Sequence, residues 1–248
     1  VRAVGDPAAR FREDYLRILR AIRFAARFGF TIESATWAAA RDAARGLGRL
    51  SAERVRDEWF KGLRTARELE TLLRLWHESG AATIWLPELP RSAAVPSPAV
   101  SPPPRDPVLL TSLLASDPAG LLSRLRASNA EIARAQAIAA GPAEPAGQDE
   151  VAVRRWLAGV GSAADDLIDS YRLRSGGRPP WLATVAAIRE RQDPLSRGDL
   201  AVTGRDLEAL GLSGKSIGET LAALLDRVLE DPAANDRERL LALARERR

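Results

Sequence analysis

The amino-acid sequence predicts an all-α fold, and three observations support that prediction. Apolar residues recur at the three- and four-residue spacing of a helix face through most of the chain. Gly and Pro fall mainly between these periodic segments, where one helix ends and the next begins. No alternating apolar and polar run is long enough to indicate a strand. At 248 residues, 46% of them apolar, the chain can bury the core of one or two domains.

Arginine supplies nearly all of the positive charge. The chain has 37 basic and 33 acidic residues and a pI near 10.2, yet its only lysines are Lys61 and Lys215. Guanidinium groups suit phosphate and base recognition, although genomic base composition explains the bias equally well. The absence of cysteine excludes disulfides and thiolate metal sites. No apolar run approaches the ~20 residues that span a bilayer, and no secretory signal opens the chain, so a cytoplasmic protein is expected.

The first long helix is predicted over residues 13–28, because Gly29 stands where a helix C-cap belongs and no Gly or Pro interrupts the segment. On a helical wheel, arginines share one narrow face and apolar residues cover much of the other side. The arginines are Arg20, Arg23 and Arg27, and the apolar residues are Ile18, Leu19, Ile22, Ala25 and Ala26. One side of the helix is therefore expected to pack against a core, and the other to face an anion.

Asp14 and Arg17 lie three positions apart at the start of this helix, so one ligand edge could meet both side chains. A carboxylate only accepts hydrogen bonds, and a guanidinium only donates them. Cytosine and adenine present an amino donor beside an unprotonated ring nitrogen, whereas guanine and uracil present a carbonyl beside a ring N–H. The pair is therefore expected to accept C and A and to repel G and U. The alternative is an ordinary i,i+3 salt bridge on a solvated helix.

Residues 1–30 combine a Gly-Asp-Pro turn with a Glu-Asp-x-x-Arg motif at the start of the predicted helix. This combination resembles the neck of the tRNA CCA-adding enzyme and bacterial poly(A) polymerase superfamily, the class II nucleotidyltransferases. In that family the motif recognises the base of the incoming nucleotide, which the resemblance assigns to Asp14 and Arg17. It also assigns Arg20 and Arg23 to the sugar and phosphates, and Arg2 to the end of the last motif of the catalytic head.

The helix predicted over residues 51–61 carries a second match to the family. Ser51 is its expected N-cap, and a Ser-x-Glu-Arg opening leads into an Arg-x-Glu segment, as in the next neck motif of the family. The resemblance implies that this helix supports the nucleotide-reading helix. It assigns supporting contacts to Glu13, Glu53, Arg54, Arg56 and Glu58. The alternative is an ordinary charged helix face exposed to solvent.

Further helices are predicted along the rest of the chain. They cover residues 31–46, 66–79, 108–115, 118–127, 129–140, 150–159, 163–173 and 180–191. Seven prolines in residues 90–107 indicate a linker or an extended surface loop. Residues 193–221 resemble a later segment of the family, in which a Gly-rich turn before a helix is expected. Lys215 in that segment, together with Arg205, is expected to contact RNA weakly through phosphates.

The resemblance divides the chain into a neck (1–64), a helical body (65–192) and a helical tail (193–248). The expected function is that of the nucleotide-selecting and RNA-binding portion of a tRNA nucleotidyltransferase, which adds C and A to the tRNA 3′ end from CTP and ATP. The alternatives are poly(A) addition, CC-only or A-only addition, and a stand-alone helical RNA-binding module without catalysis. The oligomeric state is left open.

The catalytic head of the family, with its two metal-binding aspartates, has no counterpart in this sequence. Because the chain also lacks methionine, even at position 1, translation is expected to begin upstream. The resemblance places Mg²⁺ ions in that head, so neither catalytic nor metal-binding residues are expected in residues 1–248. The chain by itself is predicted to be inactive.

Overall fold

The computed structural model describes residues 1–91 and 104–246 of the chain. All regular elements in these residues are α-helices or short 3₁₀ helices, which confirms the all-α prediction. None of the described helices is both long enough and apolar enough to cross a membrane. Most of the predicted linker, residues 92–103, lies outside the described residues, and a helix begins at Pro107.

The chain folds into two compact units, and the described residues form one hydrophobic core cluster in the first unit and two in the second. Unit 1 contains Val1–Gly141 and Leu173–Gly176, and unit 2 contains Pro142–Arg172 and Gly177–Arg248. This division groups the predicted neck with the first helices of the predicted body. The functional division into neck, body and tail stays a prediction, and its boundaries do not coincide with those of the compact units.

Unit 1 is organised around the contacts of its second helix. Its helices are α1 (Pro7–Glu13), α2 (Leu16–Phe28), α3 (Ser34–Asp42), α4 (Ala52–Thr65), α5 (Leu69–Glu78), α6 (Ala81–Trp85), α7 (Pro107–Leu114), α8 (Pro118–Arg124) and α9 (Asn129–Ala140), with a 3₁₀ segment (Ala44–Arg49) after α3. The predicted apolar face of α2 is buried, and α2 packs against α4 and α5. Trp59 of α4 is fully buried and donates from Nε1 to Thr111 Oγ1 of α7 at 3.0 Å.

Residues 13–28 form parts of two helices rather than the single predicted helix. α1 ends at Glu13 and α2 begins at Leu16, because Asp14 adopts an extended conformation with φ −153° and ψ 104°. The carboxylate of Asp14 accepts the backbone N–H of Leu16 at 3.0 Å. Short acidic side chains compete in this way with helical backbone hydrogen bonds, so they favour helix starts over helix interiors. At its other end α2 stops as predicted at Gly29, which has φ +67°.

The helix predicted over residues 31–46 is shorter than expected. α3 begins at Ser34 and ends at Asp42, and the chain then tightens into the 3₁₀ segment Ala44–Arg49. Gly46 lies in this segment against the ring of Tyr15, where an added Cβ would stand 1.9 Å from Cε1. Glycine weakens the α-helix at this point and at the same time leaves room for the ring.

The remaining predicted helices agree with the observed ones to within a few residues. Ser51 caps α4 as predicted, with its hydroxyl oxygen accepting the Arg54 N–H at 3.5 Å. α9 has the predicted bounds, and its N-cap Ser128 forms a capping box with Glu131. Side-chain caps at Ser51 and Ser128 therefore mark the starts of these two helices.

Unit 2 holds the remaining helices, apart from the last residues of α11. They are α10 (Glu150–Val160), α11 (Ala164–Ser175), α12 (Leu182–Glu190), α13 (Gly204–Ala209), α14 (Lys215–Glu230) and α15 (Arg237–Glu246). Trp156 and Trp181 pack with ring centroids 4.8 Å apart in one core cluster. The buried Arg154 donates to the backbone oxygen of Leu229 at 2.8 Å and to Asp193 Oδ2 at 3.2 Å, which ties α10 to the end of α14.

A methyl group added at Gly46 is expected to destabilise unit 1. The alanine Cβ would lie 1.9–2.4 Å from three atoms of the Tyr15 ring, so the ring or the 3₁₀ backbone must move. Overpacking of this kind costs about 1–3 kcal/mol in the free energy of unfolding. Urea denaturation of Gly46→Ala should show this loss.

Gly48→Ala is the matched control, because Gly48 lies in the same 3₁₀ segment and its added Cβ would meet only Ile84 Cγ2, at 3.9 Å. Its free energy of unfolding is expected to stay within about 0.5 kcal/mol of the parent value. Equal unfolding free energies for the two alanine variants would contradict the packing described for Tyr15.

Candidate functional site

Arg17, in the first turn of α2, is held by groups from α1. Its Nη1 donates to Glu13 Oε2 at 2.7 Å and to the Arg10 backbone oxygen at 3.1 Å. Arg10 Nη1 donates to the same carboxylate at 3.1 Å. The hydrogen bond from Arg17, and then that from Arg10, lower the pKa of Glu13 below its ordinary value, so this carboxylate is ionised at neutral pH. Glu13 therefore fixes the direction of the Arg17 guanidinium, which stays partly exposed.

Asp14 lies in the break between α1 and α2 and is held by α4. Arg54 Nη2 donates to both carboxylate oxygens, at 3.2 and 3.1 Å. The backbone N–H of Leu16 donates to one of the same oxygens. A carboxylate has about four lone-pair sites, and the Asp14 side chain is 29% exposed. Its orientation is therefore fixed from two sides, while an acceptor position stays open to a ligand.

The predicted geometry of Asp14 and Arg17 is wrong in one respect. Because Asp14 precedes α2 in an extended conformation, the two residues do not share a helix face. Both are described by the structure, and they form no ion pair with each other: Asp14 pairs with Arg54, and Arg17 pairs with Glu13. The alternative of an i,i+3 salt bridge between them is therefore also wrong.

Glu58 of α4 is a buried carboxylate beneath the arginine face of α2. Its side chain is 4% exposed, its Oε2 accepts from Arg23 Nε at 2.6 Å, and its Oε1 lies 3.8 Å from Arg20 Nε. The Arg23 side chain is only 13% exposed, whereas that of Arg20 is 51% exposed. The predicted arginine face is therefore not uniform. Glu58 neutralises Arg23, and Arg20 extends into solvent where an anion can reach it.

Three of the five predicted supporting residues form the ion pairs described above, and two do not. Arg126 Nη1 donates to Glu53 Oε1 at 3.1 Å, and Arg56 Nη1 donates to the Arg126 backbone oxygen at 2.6 Å. Glu53 and Arg56 thus contact the connection between α8 and α9, in place of the expected contact with the nucleotide-reading helix. Both residues therefore lie on the side of α4 that faces this connection.

A cavity of about 350 Å³ lies beside the start of α2. Its charged lining comes from Arg2, Arg10, Arg17 and Arg20, and Phe24 supplies part of an apolar wall. Arg10 is not among the site residues expected from the sequence. Its position three residues before Glu13 is the feature that could have indicated its pairing there. No carboxylate side chain belongs to the lining, so the cavity suits an anionic ligand.

The residues expected to bind RNA weakly, Arg205 and Lys215, are both exposed and lie in unit 2. Lys215 begins α14 directly after Gly214, which has φ +57°, and this confirms the predicted Gly-rich turn before a helix. Lys215 pairs with Glu219 at 3.1 Å while its side chain is 92% exposed. The predicted nucleotide-binding residues all belong to unit 1.

Among the described residues there is no group of three or more His, Asp or Glu side chains that could hold a metal ion. The carboxylates of the site, Glu13, Asp14 and Glu58, are each engaged by guanidinium groups. Those positive neighbours disfavour a bound cation. These carboxylates are therefore not suited to hold the Mg²⁺ ions, which the resemblance places in the catalytic head.

Removal of the Glu58 carboxylate is expected to destabilise unit 1 strongly. Glu58→Ala leaves the Arg23 guanidinium shielded from water and unpaired, and breaking a buried ion pair costs about 3 kcal/mol or more. Glu78→Ala is the control, because its i,i+4 pair with Arg74 is exposed on both sides and is worth less than about 1 kcal/mol. Coincident urea unfolding curves for the two variants would show that Glu58 does not hold the arginine face.

Known proteins similar to this chain include several CCA-adding enzymes. A family model described as "Probable RNA and SrmB- binding site of polymerase A" matches residues 29–91. The CCA-adding enzyme of Limosilactobacillus fermentum is 31% identical over 99% of this chain and 63% of its own length. The crystal structure of the Bacillus stearothermophilus CCA-adding enzyme in complex with CTP matches with a TM-score of 0.82 and 26% identity, over 98% of this chain and 64% of that one.

The Thermotoga maritima CCA-adding enzyme complexed with tRNA shares the fold, with a TM-score of 0.51 and 17% identity over 94% of this chain and 61% of that one. The chain spans less than two thirds of the length of these three relatives. The Glu-Asp-x-x-Arg motif, the all-α fold and the similarity along the whole chain point to one family. The chain belongs to the tRNA CCA-adding enzyme and bacterial poly(A) polymerase superfamily, the class II nucleotidyltransferases.

Proposed function

We propose that this chain is the nucleotide-selecting and RNA-binding portion of a tRNA nucleotidyltransferase that adds C and A to the tRNA 3′ end. The observation that carries the proposal is the α1–α2 junction, where Arg54 orients Asp14 and Glu13 orients Arg17. Two of the similar structures support it, since one is in complex with CTP and another is complexed with tRNA. The proposed substrates are tRNA, CTP and ATP.

Base selection is proposed to rest on the opposite hydrogen-bonding characters of Asp14 and Arg17. The carboxylate accepts the amino group of cytosine or adenine, and the guanidinium donates to the neighbouring ring nitrogen. Guanine and uracil would place a carbonyl against Asp14 and a ring N–H against Arg17, so both contacts would be repulsive. Because Arg54 and Glu13 already hold the two side chains, little conformational entropy is lost when the base binds.

The sugar and phosphates are proposed to occupy the cavity beside α2. Arg20 is the predicted phosphate ligand with the most exposed guanidinium, and Arg2 and Arg10 line the same cavity. Arg23 has a different proposed part, because its charge is neutralised by Glu58 and its side chain is largely buried. It supports the position of Glu58, which in turn lies close to Arg20.

Two alternatives use the same residues. Poly(A) addition, or addition of only CC or only A, is compatible with the site because Asp14 and Arg17 admit both bases. The description of the model that matches residues 29–91 names polymerase A, so poly(A) addition is kept as an alternative. A stand-alone RNA-binding module without catalysis would need no discrimination between nucleotides. A measurement of nucleotide selectivity therefore distinguishes the stand-alone module from the proposed function. The cytoplasmic location is a separate prediction.

We also propose that this chain alone transfers no nucleotide. The described residues bring together no carboxylate cluster for Mg²⁺, and the carboxylates of the site are all paired with arginines. The part of the reaction proposed for these residues is therefore selection of the nucleotide and binding of the RNA.

Asp14→Asn is expected to weaken nucleotide discrimination. The parent chain should bind CTP and ATP more tightly than GTP and UTP, and the variant should lose about 1–3 kcal/mol of this preference, as for a lost bidentate base contact. Asparagine keeps an oxygen for the Leu16 N–H, so the start of α2 is preserved. Calorimetric titration of the chain with the four nucleotides measures the preference.

Asp57→Asn is the control for this experiment, because Asp57 is an exposed carboxylate of α4 that pairs with Arg56. It should leave the nucleotide preference unchanged. Equal preferences in the parent chain and in Asp14→Asn, or an equal loss in both variants, would remove Asp14 from base recognition.

Purified residues 1–248 are expected not to extend a tRNA that lacks its CCA end when Mg²⁺, CTP and ATP are present. The reason is the missing cluster of metal-binding carboxylates in the described residues. A gel assay with radiolabelled CTP measures extension, and a full-length CCA-adding enzyme is the positive control. Extension by the purified chain would show that it contains a catalytic centre.

A further inference from the structure

A second cavity of unit 1, of about 630 Å³, lies between α1, α3 and the 3₁₀ segment Ala44–Arg49. Its lining carries three exposed arginines, Arg12, Arg45 and Arg49, and one carboxylate, Asp42. This cavity is the three-arginine groove. It shares no lining residue with the cavity beside α2, so the two are separate sites.

The arginines of this groove differ from those of the α1–α2 junction in their partners. Arg10, Arg17 and Arg54 each pair with a carboxylate at 3.1 Å or less. Within residues 1–91 and 104–246, Arg12, Arg45 and Arg49 form no ion pair, and Arg49 lies over the Tyr15 ring in a cation–π arrangement. Like charges that line one groove repel each other, and a bound anion would relieve that repulsion.

Tyr15 forms a wall of the groove, and its ring packs against Gly46 and Arg49. Gly46 leaves the room that the edge of the ring occupies, since an added Cβ would stand 1.9 Å from Cε1. The Arg49 guanidinium carbon lies 6.0 Å from the ring centroid, over its face. Most of the remaining lining is alanine, and no other aromatic residue belongs to it. The groove therefore offers charge to a ligand but no free aromatic surface on which a base could stack.

We propose that the three-arginine groove binds the phosphodiester backbone of RNA, at a place distinct from the nucleotide site. The proposal rests on the proposed function, since it gives the RNA substrate a defined contact. Planar guanidinium groups match phosphate oxygens through paired hydrogen bonds, and small alanine side chains let a backbone approach closely. Arg45 and Arg49 also lie within residues 29–91, which match the model described as a probable RNA-binding site.

The affinity of residues 1–248 for a fluorescent tRNA lacking its CCA end, measured between ~50 and ~200 mM salt, tests the proposal. Each phosphate contact contributes about 0.9 to the slope of log affinity against log salt. Arg45→Gln and Arg12→Gln, which come from different elements, should each lower affinity and reduce the slope by about one. Arg41→Gln is the control, because Arg41 is exposed on α3 but does not line the groove, and its slope should equal the parent value.

A variant that is expected to raise the affinity for tRNA gives a result that loss of folding cannot explain. Asp42→Asn removes the only carboxylate of the groove lining, so it should raise the affinity for tRNA. Glu70→Gln, an exposed carboxylate of α5, is its control and should leave the affinity unchanged. Thermal melts followed by circular dichroism check that all variants are folded.

Three results would overturn the inference. If the parent binds tRNA while Arg45→Gln and Arg12→Gln behave like Arg41→Gln, the groove is not the contact, and the proposed function stands. If the parent binds no tRNA, the inference and the RNA-binding part of the proposed function both fail. If poly-glutamate binds as tightly as tRNA and loses as much affinity in the variants, the groove takes an acidic polypeptide instead of RNA.

Discussion

The carboxylate of Asp14 forms the contacts on which the site depends. It accepts the Leu16 N–H and both hydrogen bonds from Arg54, and it thereby ends one helix, starts the next and joins both to α4. Because Asp14 belongs to neither helix, its side chain reaches α4 while Arg17 reaches back to α1. The acceptor Asp14 and the donor Arg17 are thus held at one junction by different partners. A continuous helix would not bring both residues to these partners.

The arginines discussed for unit 1 are of two kinds: some pair with a carboxylate, and others do not. Arg23 and Arg54 are paired with Glu58 and Asp14, and they stabilise the positions of those carboxylates. The arginines of the three-arginine groove have no carboxylate partner among the described residues, and they line a cavity open to ligands. In a chain this rich in arginine, the pattern of pairing is more informative about anion binding than the net charge of +4.

Specificity and affinity are assigned to different groups in the functions proposed here. Hydrogen bonds at Asp14 and Arg17 would distinguish bases, because donors and acceptors must match over short distances. Contacts between arginines and phosphates would add affinity without distinguishing sequence, because every nucleotide carries the same phosphate. Under the proposed function, this division would let the nucleotide be selected strictly while RNA is bound without regard to its sequence.

The sequence by itself determined the helical class, the buried face of α2, the helix ends at Gly29 and Ser51, and the motif that marks the family. These features depend on residues within a few positions of each other, so periodicity and capping reveal them. The long-range partners of Asp14 and Glu58 were decided by the tertiary structure, whereas Glu13 pairs with Arg10 and Arg17, three and four positions away. Arg54 meets Asp14 from 40 positions away, and Glu58 meets Arg23 from 35 positions away. Such pairs form only when helices distant in sequence pack together, and helical periodicity specifies which side of a helix is buried without specifying which helix covers it.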